Sequence, residues 1–189
     1  MKILLLDNYD SFTFNLFQLV GEVSGGVMPD VFRNDKITLE EAAKYDKILL
    51  SPGPGLPAEA GIMPELVKRF APTKSILGVC LGHQCIAETF GARLENMERV
   101  CHGFGIETIV TAKDETLFHD VPEKFQSGRY HSWTVSPENL PDCLEVTAQD
   151  SEGRVMALRH REFDVRGVQF HPESVLTPEG ATIVRNWLA

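Results

Sequence analysis

The sequence is short of the features that mark membrane, secreted and nucleic-acid-binding proteins. Its opening apolar run, Ile3 to Leu6, stops at Asp7. A signal peptide needs roughly 7–15 apolar residues and a membrane helix about 20, so neither is expected. Basic residues are in deficit: 18 Lys and Arg stand against 27 Asp and Glu, for a net charge of −9. That balance argues against nucleic-acid or anionic-membrane partners, since both are polyanions. Cysteine is scarce. Cys80, Cys85, Cys101 and Cys143 fit neither zinc-ligand spacing nor a disulfide framework. No metal site is expected in the chain, and a reducing cytoplasm is the natural setting for a free thiol. There are no repeats, low-complexity tracts or linkers.

What is present suits one globular domain over residues 1–189. The chain is 43% hydrophobic and 24% charged, enough apolar material for one core. Its first half alternates as βα units. The runs at 2–6 and 47–51 read as buried strands, the first of them parallel, with further strands near 31–32 and at 75–79. Phe12, Leu16, Leu19, Val20 and Val23 recur at helical spacing, with Ser11 as candidate N-cap and Gly25–Gly26 as the stop. Thr38 and Glu41 have capping-box spacing. Pro64 marks the start of a helix to about Ala71, and another helix follows Cys80 and ends at Gly91. The second half carries short β-like runs at 107–111, 131–135, 144–148, 155–159 and 165–170, then a helix from Thr177. The expected class is α/β: an open, mostly parallel sheet with helices on both faces and antiparallel strands added late.

The strongest local signal is Gly78-Val79-Cys80-Leu81-Gly82, which has the form G-x-C-x-G between an apolar strand and a helix. With serine at the centre this is the nucleophile elbow. A tight turn pushes the side chain out at the strand end, and glycines leave room where a Cβ would clash. A thiol there meets the N–H groups and dipole of a helix N-terminus, which favour the thiolate. The N–H of Leu81 points to where an oxyanion would form. A nucleophilic thiol needs a base, and the base needs an orienting group. Phe170-His171-Pro172-Glu173-Ser174 follows an apolar strand. Residues i and i+2 of an extended segment point the same way, so His171 and Glu173 are expected neighbours. The elbow alone does not separate an amidase from an esterase or a peptidase.

Four ordered segments together carry a resemblance: SPGPGLP at 51–57, GVCLGHQ at 78–84, RYHS at 129–132 and GVQFHPES at 167–174. They resemble the class I glutamine amidotransferases along the whole chain, and among them the glutaminase subunits of anthranilate synthase and aminodeoxychorismate synthase. The resemblance implies a flavodoxin-like fold with Cys80 as nucleophile, His171 as base and Glu173 as orienter. It implies hydrolysis of the L-glutamine side-chain amide, with ammonia passed to a chorismate-using synthase on another polypeptide. Anthranilate synthesis (the tryptophan route) is preferred over aminodeoxychorismate synthesis (the folate route). Gly53, Pro54 and Gly55 with Leu81 match the oxyanion segments, and Gln84, Ser132 and Trp133 match the substrate-binding positions. The family usually has Leu where Trp133 stands. No cofactor is expected in this chain; magnesium would belong to the synthase.

The segments 8–12 and 100–103 are candidate synthase contacts. His83 is expected to be a packing or interface residue and Cys85 to line the core. Two other classes stay open at this point: a DJ-1/PfpI-type cysteine hydrolase, which shares an elbow cysteine, and a non-catalytic binding protein.

Overall fold

A computed structural model describes the backbone of residues 1–189 and the side chains of all but residues 98–102. One nine-stranded sheet runs through the molecule in the order β2-β1-β3-β4-β9-β8-β7-β5-β6. Its first five members are β2 (Asp30–Arg33), β1 (Ile3–Asp7), β3 (Lys47–Leu50), β4 (Ser75–Val79) and β9 (Val165–Val168). All four pairings among them are parallel. With β9 as fifth strand this is the flavodoxin-like order, in which ligands gather outside the carboxyl ends of the strands. β8 (Val155–His160), β7 (Leu144–Asp150), β5 (Leu94–Val110) and β6 (Lys124–Val135) extend the sheet by antiparallel pairing.

Strand alternation sorts the core into two layers. Leu4, Leu6, Ile48, Leu50 and Ile76 pack on α3 (Met63–Phe70) and α4 (Leu81–Thr89) through Met63, Leu66, Val67, Phe70 and Ile86. Ile3, Leu5, Leu49, Leu77 and Val79 face the other way, onto α1 (Thr13–Val23) and α5 (Gly180–Leu188) through Leu16, Val20, Ile183, Val184 and Trp187. Strands covered on both faces have to be apolar at every position, which is why they read as continuous runs. Among the described residues no helix is long and apolar enough to cross a membrane.

The capping box forms as expected at α2 (Leu39–Ala42): Thr38 and Glu41 satisfy each other's backbone N–H groups. Three expectations need correction. Ser11 does not cap α1; Asp10 accepts from the Phe12 N–H at 2.7 Å and Asp7 from the Thr13 hydroxyl at 2.8 Å. α5 starts at Gly180 rather than Thr177, because the Thr177 hydroxyl bridges the Gly128 N–H and the His171 carbonyl. The runs at 107–111 and 131–135 are parts of the much longer strands β5 and β6. Register shifts along that ribbon break the alternation a short strand would show.

Gly78 and Gly82 let α4 lie against the sheet end. A Cβ on Gly78 would collide with the Gly82 backbone, and one on Gly82 would lie 2.6 Å from Leu50 Cβ. Gly153 sits at φ +78° with open space around it. Gly78→Ala should lower unfolding free energy by about 3 kcal/mol, the upper range of overpacking penalties. Gly153→Ala should cost only about 1 kcal/mol, its left-handed backbone alone. Urea denaturation of the two variants checks the difference.

Candidate active site

Parallel pairing of β4 with β9 builds the site. The register sets Val79 beside Val168, and the Cys80 N–H continues the ladder to the Val168 carbonyl at 2.9 Å. Both strands therefore release their next residues at one edge: Cys80 from β4, and Gln169, Phe170 and His171 from β9. Cys80 turns sharply there, at φ 53°, ψ −101°. A left-handed backbone in a non-glycine residue is strained by about 1–3 kcal/mol and persists only where surrounding structure enforces it. The first intrahelical bond of α4 runs from Gln84 N–H to the Cys80 carbonyl at 3.0 Å. The N–H groups of Leu81, Gly82 and His83 precede it, at the helix start beside the sulfur.

His171 and Glu173 meet as the i, i+2 rule anticipates. The imidazole Nδ1 lies 2.6 Å from Glu173 Oε1, and both side chains are buried. Phe12 and Tyr130 press their rings on the imidazole at centroid distances of 5.2 and 4.9 Å, both T-shaped. The His171 N–H donates to the Gly128 carbonyl at 3.0 Å. With Nδ1 engaged, Nε2 is buried and turned toward Cys80. Burial opposes protonation of His171. Hydrogen bonding and charge from Cys80 and Glu173 outweigh it and carry the pKa up to about 10. The favoured state is thus an imidazolium held between a sulfur and a carboxylate.

Two cavities meet at the sulfur. The smaller, about 180 Å³, is lined by Gly53, Pro54, Gly55, Gln84, Ser132 and Trp133 together with Cys80. These include all the sequence-predicted substrate contacts except Leu81. Leu81 is buried at the start of α4, its Cδ2 lying 3.0 Å from where a Cβ on Gly53 would stand. Gly55 takes φ +76°, and Gly53 approaches so closely that a Cβ would lie 2.5 Å from the Asn8 carbonyl. Gln84 Nε2 donates to the Trp133 carbonyl at 2.9 Å, so this residue braces the pocket wall. The larger cavity, about 510 Å³, opens between Tyr9, Asp10, Phe12, Tyr130 and His171. Burial raises the Asp10 carboxyl pKa there, against the lowering effect of the Phe12 N–H.

Three residues outside the predicted set support the site. Asn8 ties the β1 end to the oxyanion loop: its N–H donates to Ser51 Oγ and its Nδ2 to the Ser51 carbonyl, both at 2.8 Å. Phe12 packs on His171, so much of the 8–12 segment serves the site itself, while Tyr9 is half exposed. Gln169 reaches the sulfur and lies two positions before His171; the period-2 rule that paired His171 with Glu173 also points to it. Of the 100–103 candidate, the side chains of Val100, Cys101 and His102 lie outside the described residues. His83 is fully buried against Gly167, with burial lowering its pKa to about 3. Cys85 is buried in the core, where its thiol is pushed up to about 12.

The fold and site define a class: an open α/β sheet that presents a thiol, an imidazole and a carboxylate at a strand-to-helix turn. Such a set is suited to nucleophilic acyl transfer. The family model for glutamine amidotransferase class-I matches residues 4–189, and the chain belongs to that family. It is 45% identical over 188 residues to the aminodeoxychorismate/anthranilate synthase component 2 of Bacillus subtilis, covering 98% of this chain and 95% of that one. It is 44% identical over 189 residues to the bifunctional protein TrpGD of Thermotoga maritima, covering 99% of this chain but only 32% of that larger protein. Among solved structures, a Thermoplasma acidophilum protein assigned to GMP synthase superposes with a TM-score of 0.88 at 27% identity, covering 100% of this chain and 92% of that one.

The raised pKa of His171 has a stability consequence. A group whose folded pKa exceeds its unfolded value contributes stability that is complete below the unfolded value and fades as pH rises through the folded one. For His171 that window runs from 6.5 to about 10. Wild type should lose more stability across this range than Glu173→Gln, in which the imidazolium has lost its carboxylate. Urea midpoints measured at intervals of pH give the two slopes.

Proposed function

We propose that this chain hydrolyses the side-chain amide of L-glutamine and supplies the ammonia to a chorismate-using synthase. The observation that carries the reading is the thiol–imidazole–carboxylate set opening onto a pocket of about 180 Å³. Cys80 attacks the δ-carbonyl as a thiolate, its proton having already passed to His171. Glu173 holds the imidazole through Nδ1, so that Nε2 faces the reacting atoms. Charge developing on the carbonyl oxygen is met by the N–H groups of Leu81 and Gly55. His171 returns its proton to the departing nitrogen as the C–N bond breaks, leaving a γ-glutamyl thioester on Cys80. Water, deprotonated by His171, then cleaves the thioester to glutamate and restores the thiol. Ser132, Trp133 and the Gln84 side chain hold the amino-acid end of the substrate.

Ammonia released into water at neutral pH is mostly ammonium and no longer a nucleophile, so a docked acceptor enzyme is part of this reading. The B. subtilis relative carries both anthranilate and aminodeoxychorismate synthase in its name. Anthranilate synthase is the acceptor we put first, and aminodeoxychorismate synthase is the second reading on that same observation. No cofactor takes part on this chain; magnesium is assigned to the synthase. Family membership leaves the DJ-1/PfpI-type reading without support.

Glutamine-dependent product formation, with either synthase present, should fall at least about a thousandfold in Cys80→Ser, as loss of a nucleophile does elsewhere. Activity with added ammonium salt should stay within about twofold, because the acceptor chemistry lies on the other chain. The unpartnered chain should show a small fraction of the glutaminase rate of the complex. Equal glutamine-dependent rates for Cys80→Ser and wild type would end the catalytic reading.

A further inference from the structure

Gln169 is fully buried beside the nucleophile and plays no part in the mechanism above. Its Nε2 lies 3.6 Å from Cys80 Sγ, and its Oε1 accepts from Gln84 Nε2 at 3.1 Å. The main chain fixes the polarity of this relay. The Trp133 carbonyl can only accept, so Gln84 must present its NH₂ group there. The second N–H of that group then points at Gln169, which must answer with its carbonyl oxygen. The Gln169 NH₂ is left toward the sulfur. An amide nitrogen only donates, and a donor prefers an ionised acceptor to a neutral thiol.

We propose that Gln169 is a positioning residue for the nucleophile: its amide N–H holds Cys80 Sγ and favours the ionised sulfur, while Gln84 ties it to the pocket wall at Trp133. The proposal rests on Cys80 being the nucleophile. The Gln169 backbone is anchored independently, its N–H donating to the Met156 carbonyl at 2.8 Å, so the side chain can be changed without loosening the β9 end. Other titratable groups around the sulfur are His171 with Glu173 behind it, Asp10, Tyr9 and Tyr130 in the larger cavity, and His131 in the smaller. Gln169→Met replaces none of these groups and adds no charge beside them.

The test reads the sulfur directly by its alkylation with iodoacetamide across pH, located at Cys80 by peptide mass. Gln169→Glu keeps the acceptor for Gln84 and turns an acceptor toward the sulfur. Gln169→Met keeps the shape and removes the donor. Hydrogen bonds to charged groups are strong enough that losing one should slow alkylation of Cys80 at neutral pH by roughly tenfold or more. The pH midpoint should move upward in both variants, further in Gln169→Glu. With the synthase present, kcat for glutamine should fall by a similar factor while KM changes less than about threefold, since the residue holds the nucleophile rather than the substrate. Alkylation profiles of both variants that overlay the wild type would overturn the proposal. Should Cys80 not be the nucleophile, Cys80→Ser would retain glutaminase activity, a result independent of the alkylation profiles.

Discussion

The site depends on one piece of sheet geometry, the parallel pairing of β4 with β9. Val79 lies beside Val168, and the next residues, Cys80 and Gln169, leave the sheet at the same edge. Two segments far apart in sequence thereby deliver a sulfur and an imidazole to one place. A parallel pair is needed for this, since an antiparallel pair would send the two chains out at opposite edges. The second requirement is the turn at Cys80, whose left-handed backbone is held by the bond to Val168 on one side and the first turn of α4 on the other.

Packing keeps these parts in place. Gly78 and Gly82 let helix and strand approach, and Gly167 leaves the space that His83 fills. Gly128 and Thr177 clamp the segment that carries His171: the Gly128 carbonyl takes its N–H, and the Thr177 hydroxyl donates to its carbonyl. Phe12 and Tyr130 exclude water from the imidazole on two sides. In so dry a setting the contact between Glu173 and His171 carries more weight than it would in water. The same dryness makes His83, which has no carboxylate partner among the described residues, a neutral packing residue.

Much of this was legible in the sequence because it rests on local rules. Buried parallel strands are continuous apolar runs, G-x-C-x-G announces an elbow, and i, i+2 spacing pairs His171 with Glu173. The parts that escaped depend on tertiary partners. Ser11 looked like a cap, yet Asp7 and Asp10 bond the N-terminal turn of α1. Thr177 looked like a helix start, but its hydroxyl is committed to Gly128 and His171. The long β5–β6 ribbon was hidden by its irregular register. Asn8 and Phe12 read as a loop for a partner, and only the fold shows them bracing the oxyanion loop and the imidazole. Gln169 stands inside the GVQFHPES segment, but a neutral amide shows its role only once the fold brings it to the sulfur.

The central claim, that Cys80 beside His171 is the group that attacks glutamine, is tested most directly by treating the protein with a glutamine-like diazo-ketone and mapping the product by mass spectrometry. The account predicts one covalent adduct, on the peptide containing Cys80, suppressed by excess glutamine and slowed in His171→Ala. No adduct, or one carried by Cys85 or Cys143 with Cys80 untouched, would contradict it.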